Sequence, residues 1–152
     1  MSYFVDVQRD IENPDLPSDE DFLRWVSLAL TGRKTAGEMC IRLVEPEESQ
    51  QLNTDYRGKA SPTNVLSFPF EGPADIPMDL LGDLAICAEI VAQEAKEQNK
   101  LPHHHWAHMV IHGTLHLIGF DHIDDVDAEQ METLEIALLA SLNIPDPYQQ
   151  GV

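Results

Sequence analysis

The segment His103-His104-His105-Trp106-Ala107-His108-Met109-Val110-Ile111-His112-Gly113-Thr114-Leu115-His116-Leu117-Ile118-Gly119-Phe120-Asp121-His122 holds all seven histidines of a 152-residue chain. Trp106, Val110 and Leu117 recur at helical spacing on one face, while Met109, Ile111 and Leu115 fill others. A helix from His103 to Ile118 that is apolar on several sides must be wrapped in protein. It therefore stands at the centre of the fold, and the flanking sequence has to supply its cover.

Working outward, Glu89–Gln98 reads as a helix and Asp83-Leu84-Ala85-Ile86-Cys87 as a strand, with a further helix at Val126–Leu142. The segment from Asn143, punctuated by Pro145 and Pro147, reads as a loose tail. Towards the N-terminus, Asn64 to Phe70 is a strand whose Pro69 marks a free backbone edge or a bulge. Pro46, followed by Glu47 and Glu48, opens a helix running towards Tyr56, and Met39 to Val44 is a strand before it. Phe22, Trp25, Val26, Leu28 and Ala29 share a helix that Ser18 and Asp21 start as a capping box and Thr31-Gly32 ends. Tyr3 to Val7 alternates as a first strand, and a Pro- and Asp-rich loop from Gly72 to Asp79 precedes the fourth. The expected fold is α+β: a small mixed four-stranded sheet covered by about five helices, the His-bearing helix central, in a single domain over residues 1–152.

Nine Lys and Arg stand against 27 Asp and Glu, a formal net charge of −18. From Leu101 onward there is no Lys or Arg, and eight acids lie between Asp121 and Asp146. Such a surface argues against free nucleic acid as a partner, since phosphate binding needs local cations. No apolar run is long enough for a membrane span, and Met1-Ser2-Tyr3-Phe4-Val5-Asp6 lacks the basic start of a signal peptide. Cys40 and Cys87 fit no metal or redox spacing and read as reduced thiols. A cytoplasmic protein is expected.

His112 and His116, four residues apart, lie on one helical face about 6 Å apart along the axis, a spacing at which two imidazoles share one metal. His122 falls off that face if the helix continues. Gly119 removes the difficulty: in a left-handed C-cap it turns the chain back and carries His122 towards the other two. Three neutral ligands leave an open fourth position, as in catalytic zinc sites. His103, His104 and His105 read as ordinary residues of the helix start, and His108 as either a core histidine or a support for a ligand. The spacing resembles the extended zinc signature of the metzincin proteases, His-Glu-x-x-His-x-x-Gly-x-x-His, except that Gly113 replaces the general-base Glu. A Gly inside a helix costs about 1 kcal/mol relative to Ala, so bulk is excluded there, and substrate or a neighbouring backbone is expected to pass close over it.

A second constellation is Tyr56-Arg57-Gly58-Lys59 with Thr63-Asn64-Val65-Leu66-Ser67-Phe68-Pro69. Gly58 caps the preceding helix, and Arg57 at its end is placed to grip phosphate through a bidentate guanidinium. Lys59 is a second candidate for substrate contact.

These two blocks, together with Leu81-Gly82-Asp83, resemble the YbeY endoribonuclease family of bacteria over nearly the whole chain. The resemblance implies a single-strand-specific, metal-dependent endoribonuclease acting in ribosomal RNA processing, particularly 16S rRNA 3′-end maturation, and in removal of defective ribosomes. It implies one Zn2+ per chain held by His112, His116 and His122, with Arg57 catalytically important. The implied partners are ribosomal RNA and the small subunit or ribosome-associated proteins, with neither DNA nor membrane expected; such a docking partner would also offset the acidic surface. The nucleophile, water or the RNA 2′-hydroxyl, is open, and Asp83, Asp121 and His108 are each candidates for a general base. The rival readings are a zinc metallopeptidase, which Gly113 opposes, and an assembly factor with a structural zinc, which needs a fourth ligand such as Asp121.

Overall fold

The chain runs β1 (Ser2–Arg9), α1 (Asp19–Leu30), β2 (Ala36–Val44), α2 (Pro46–Arg57), β3 (Val65–Pro69), β4 (Leu80–Cys87), α3 (Ala88–Glu97), α4 (Pro102–Leu117) and α5 (Asp125–Ala140). This computed structural model describes residues 2–9, 11, 16–70, 79–120 and 124–148. The sheet order is β1-β2-β4-β3, with β1, β2 and β4 parallel and β3 antiparallel to β4. The α+β architecture with a mixed four-stranded sheet and five helices is thus observed. Pro69 ends β3, an edge strand, where a missing amide donor breaks no ladder on the open side.

Local chemistry explains the boundaries. Ser18 Oγ accepts from the Asp21 amide while the Asp21 carboxylate accepts from the Ser18 amide, closing the capping box at α1. The α1 face formed by Phe22, Trp25, Val26, Ala29 and Leu30 is buried, and Phe22 meets Trp106 of α4 edge to face at 5.8 Å. Leu84, Ala85, Ile86 and Cys87 are buried in succession, as befits an inner strand covered on both sides. Cys87 lies deep and Cys40 is half-buried.

Helix α4 packs against α1, α3, α5, β3 and β4, and every residue from His105 to Ile111 is buried. The all-round apolar pattern of the sequence therefore has its expected cause. The C-terminal segment departs from the loose tail expected. Ile144 is buried, Lys100 Nζ donates to the Pro147 carbonyl at 3.1 Å, and the Tyr148 hydroxyl donates to Glu135 Oε2 at 2.8 Å. Ile144, Lys100 and Tyr148 fasten it to the body; the last four residues of the expected tail lie outside the described residues.

Near the N-terminal end of α4, Glu94 of α3 accepts from His105 Nε2 at 2.9 Å and from Asn64 Nδ2 at 3.0 Å. The bond to His105 holds the Glu94 carboxyl below its ordinary 4.5, against the opposing effect of burial. A carboxyl depressed on folding adds stability above its unfolded value, and the gain vanishes as pH falls through the lower folded value. Glu94→Gln is therefore expected to cost most near neutral pH, with the difference from the parent shrinking below about pH 4.5. Urea unfolding of both proteins across an acid pH series measures this directly.

Candidate metal centre and nuclease cleft

Arg57 is the last residue of α2, and the chain beyond it is tied back onto that helix. Gly58 takes the left-handed cap conformation, φ 71°, and its amide donates to the Thr54 carbonyl. Ser49 Oγ donates to the Thr63 carbonyl at 2.8 Å and accepts from the Thr63 amide at 2.9 Å. Asn53 Nδ2 donates to the Ser61 carbonyl at 2.8 Å. These buried side chains fold the loop before β3 over α2, so that Tyr56, Arg57, Thr63 and Asn64 face the same way.

They face α4. A cleft of about 490 Å³ is lined by Tyr56, Arg57, Asn64 and Ser67 on one side and by His112, His116, Gly119 and Phe120 on the other. The His112 and His116 rings stand 4.7 Å apart, centroid to centroid. Ser67 Oγ donates to the Gly113 carbonyl at 3.2 Å, joining the two walls. Gly119 has φ +107°, its amide donates to the His116 carbonyl, and the Phe120 amide donates to the Leu115 carbonyl. The helix thus ends where the Gly break predicts. His122 and Asp121 lie outside the described residues.

Other candidates fall elsewhere. Lys59 is exposed on the loop after Gly58, and Asp83 is exposed on β4 opposite Phe68 and Cys40; neither is among the residues lining the cleft. His103 rests on Trp25, ring to ring at 5.0 Å, and His105 is committed to Glu94. The reason for Gly113 also differs from the one expected. A Cβ there would stand 2.8 Å from Leu84 Cδ2 and 3.3 Å from Val65 Cγ2. Side chains of the sheet, rather than a neighbouring backbone, face that turn of α4.

Behind the cleft lies a residue that motif reading missed. Glu135 of α5 is fully buried. Its Oε1 is 2.7 Å from His112 Nδ1 and 3.1 Å from His108 Nε2, and its Oε2 accepts from the Tyr148 hydroxyl. Burial alone would raise this carboxyl; the hydrogen bonds from His108 and His112 outweigh it and hold it at about 2. Burial lowers the His108 imidazole, opposed by Glu135, and raises the Tyr148 phenol together with the Glu135 charge. The sequence did carry a signal: Met131, Glu135 and Leu139 are the buried residues of α5 at i, i+4 and i+8, an acid on an apolar stripe.

The donor set fits an imidazole-binding transition metal. His112 and His116 project from successive turns into a cleft, and the group His108, His112 and Glu135, with ligating atoms within 4.8 Å of one another, is also able to hold an ion. A protein-family profile described as "Endoribonuclease YbeY" matches residues 8–143. The chain belongs to the YbeY endoribonuclease family. Among solved structures, the solution structure of TM1509 from Thermotoga maritima covers 94% of this chain and 92% of its own, with 24% identity and a TM-score of 0.59. That likeness establishes a shared fold.

For this YbeY-family chain, the packing at Gly113 yields a test. Gly113→Glu restores the metzincin spacing but forces a carboxylate against Leu84 and Val65. Overpacking and an unpaired buried acid together should destabilise the fold by about 3 kcal/mol or more, seen in denaturant unfolding, and no casein hydrolysis should appear.

Proposed function

We propose that this YbeY-family protein is a metal-dependent, single-strand-specific endoribonuclease of ribosomal RNA, acting in 16S rRNA 3′-end maturation and ribosome quality control. Zinc, one ion per chain, is held by His112, His116 and His122. The observation that carries the reading is the single cleft into which α2 sends Arg57 and α4 sends His112 and His116. A guanidinium opposite two imidazoles suits a phosphodiester, which needs a cation on the phosphoryl oxygens and a second electrophile close by.

Bound zinc supplies Lewis-acid polarisation of a phosphate oxygen or of water. The chain's own residues do the rest. Arg57 grips the phosphate and stabilises the charge that develops on it. Lys59, two residues on, steadies the strand at the flank of the cleft. Tyr56, 55% exposed and braced edge to face by Phe68 at 4.6 Å, offers with Phe120 a surface on which unpaired bases stack, which favours single strands over duplex.

The charge of −18 weakens capture of naked RNA. A basic protein of the ribosomal small subunit, or one associated with it, docks on the acidic face and delivers the RNA. The setting is cytoplasmic, and among the described residues no helix is long and apolar enough to cross a membrane. The peptidase alternative is disfavoured because Gly113 stands where the metzincin signature has its general-base Glu.

Arg57→Ala should lower cleavage of unstructured RNA by about 10²–10³-fold while zinc content stays that of the parent, and Arg57→Lys should recover little. His116→Ala should lose both zinc and cleavage. Elemental analysis beside a gel assay checks all three; parental cleavage by Arg57→Ala would overturn its assignment. Ribosomal particles should be cleaved faster than deproteinised precursor RNA at matched RNA concentration, and equal rates would overturn the delivery step.

A further inference from the structure

Glu135 stands where α4, α5 and the C-terminal segment meet. An ionised carboxylate has lone pairs and no hydrogen to give, so every partner of Glu135 must donate to it. At Oε1 the donors are His112 Nδ1 at 2.7 Å and His108 Nε2 at 3.1 Å, and at Oε2 the Tyr148 hydroxyl at 2.8 Å. For His112 the consequence is a single tautomer. The hydrogen sits on Nδ1 and the lone pair on Nε2, the nitrogen at the other edge of a ring that lines the cleft.

We propose that Glu135 is a positioning residue: its carboxylate fixes His112 as the Nδ1–H tautomer with Nε2 presented for a metal, and Tyr148 of the C-terminal segment holds that carboxylate in place. The inference deepens the proposed function and rests on His112 being a ligand. Ligation by Glu135 itself, in the group with His108 and His112, fits the distances less well. Two atoms bound to a tetrahedral zinc at about 2.0–2.1 Å stand about 3.3 Å apart, whereas His112 Nδ1 and Glu135 Oε1 are at hydrogen-bond distance. Its other oxygen is already occupied by Tyr148.

The same geometry gives the tail a role. Lys100 Nζ on the Pro147 carbonyl and Ile144 in the core bring Tyr148 back to α5. With Tyr148 removed, the carboxylate keeps only its two imidazole donors, and its hold on the His112 ring loosens.

The first test is a long-range 1H–15N spectrum of the histidine rings in metal-free protein, at a mildly alkaline pH where an imidazole is neutral. The expected signature at His112 is a protonated Nδ1 and an unprotonated Nε2; the opposite tautomer overturns the proposal. The second is a zinc titration of the parent, Glu135→Gln and Tyr148→Phe. Glu135→Gln should keep one site per chain with affinity lowered about 10–100-fold, and Tyr148→Phe should show a smaller loss in the same direction. Parental affinity in both variants, or a folded Glu135→Gln protein that has lost its site altogether as a ligand substitution would, overturns it. If Glu135→Gln does not fold, the tautomer and Tyr148→Phe decide. Both measurements are made without RNA. A correct tautomer in a protein that cleaves no RNA overturns the endoribonuclease reading and leaves this one standing, and cleavage by a protein with the wrong tautomer does the reverse.

Discussion

Helix α4 packs so closely on the sheet that a Cβ at residue 113 would stand 2.8 Å from Leu84 Cδ2 and 3.3 Å from Val65 Cγ2. Interiors are close-packed, so a side chain added there is accommodated only if the Leu84 and Val65 methyls give way. The packing of α4 on β3 and β4 fixes which side of the helix faces the sheet, and hence the side from which His112 and His116 project. Ser67 on the Gly113 carbonyl adds a polar tie at the same place. A glycine that weakens the helix by itself thus allows the helix to approach Leu84 and Val65 closely.

The second organising feature is a buried charge. Removing a carboxylate from water costs several kcal/mol unless hydrogen bonds replace the lost hydration. Glu135 has three donors, drawn from α4 twice and from the C-terminal segment once. These donors tie α4, α5 and the C-terminal segment together, because removing one leaves the carboxylate's charge less compensated in a low dielectric. Glu94, held by Asn64 and His105, adds a second polar anchor one turn earlier on the same face of α4. The central helix is therefore held by apolar packing on its sheet face and by two carboxylates along its His105, His108 and His112 stripe.

The cleft and the surface pull in opposite directions electrostatically. Around the cleft, Arg57 supplies positive charge next to two imidazoles, while the chain as a whole carries −18. Long-range attraction of a polyanion scales with the overall field, whereas stabilisation of a reacting phosphate depends on groups within a few ångströms. The two properties are separable, and an acidic enzyme that relies on a docked assembly for delivery is physically coherent.

Much of this was legible in sequence because it depends on local chemistry. Helical spacing gave α4 to within a residue at each end, the Ser18 capping box and the Gly58 and Gly119 caps are short-range hydrogen-bond patterns, and Pro69 pointed to an edge. His112 and His116 follow from the 3.6-residue repeat, and the block around Arg57 from its resemblance to a family of known chemistry. Tertiary structure decided what depends on contacts between distant segments: that Arg57 and the histidines share one cleft, that Gly113 answers to Leu84 and Val65, and that the tail through Tyr148 is packed. Glu135 shows the boundary most clearly. Its place on an apolar stripe was written in α5, but its partners are 23 and 27 residues back and 13 residues on. Which donors meet a buried acid is settled only when three segments pack, because a hydrogen bond is specified by geometry to a fraction of an ångström and a helical repeat is not.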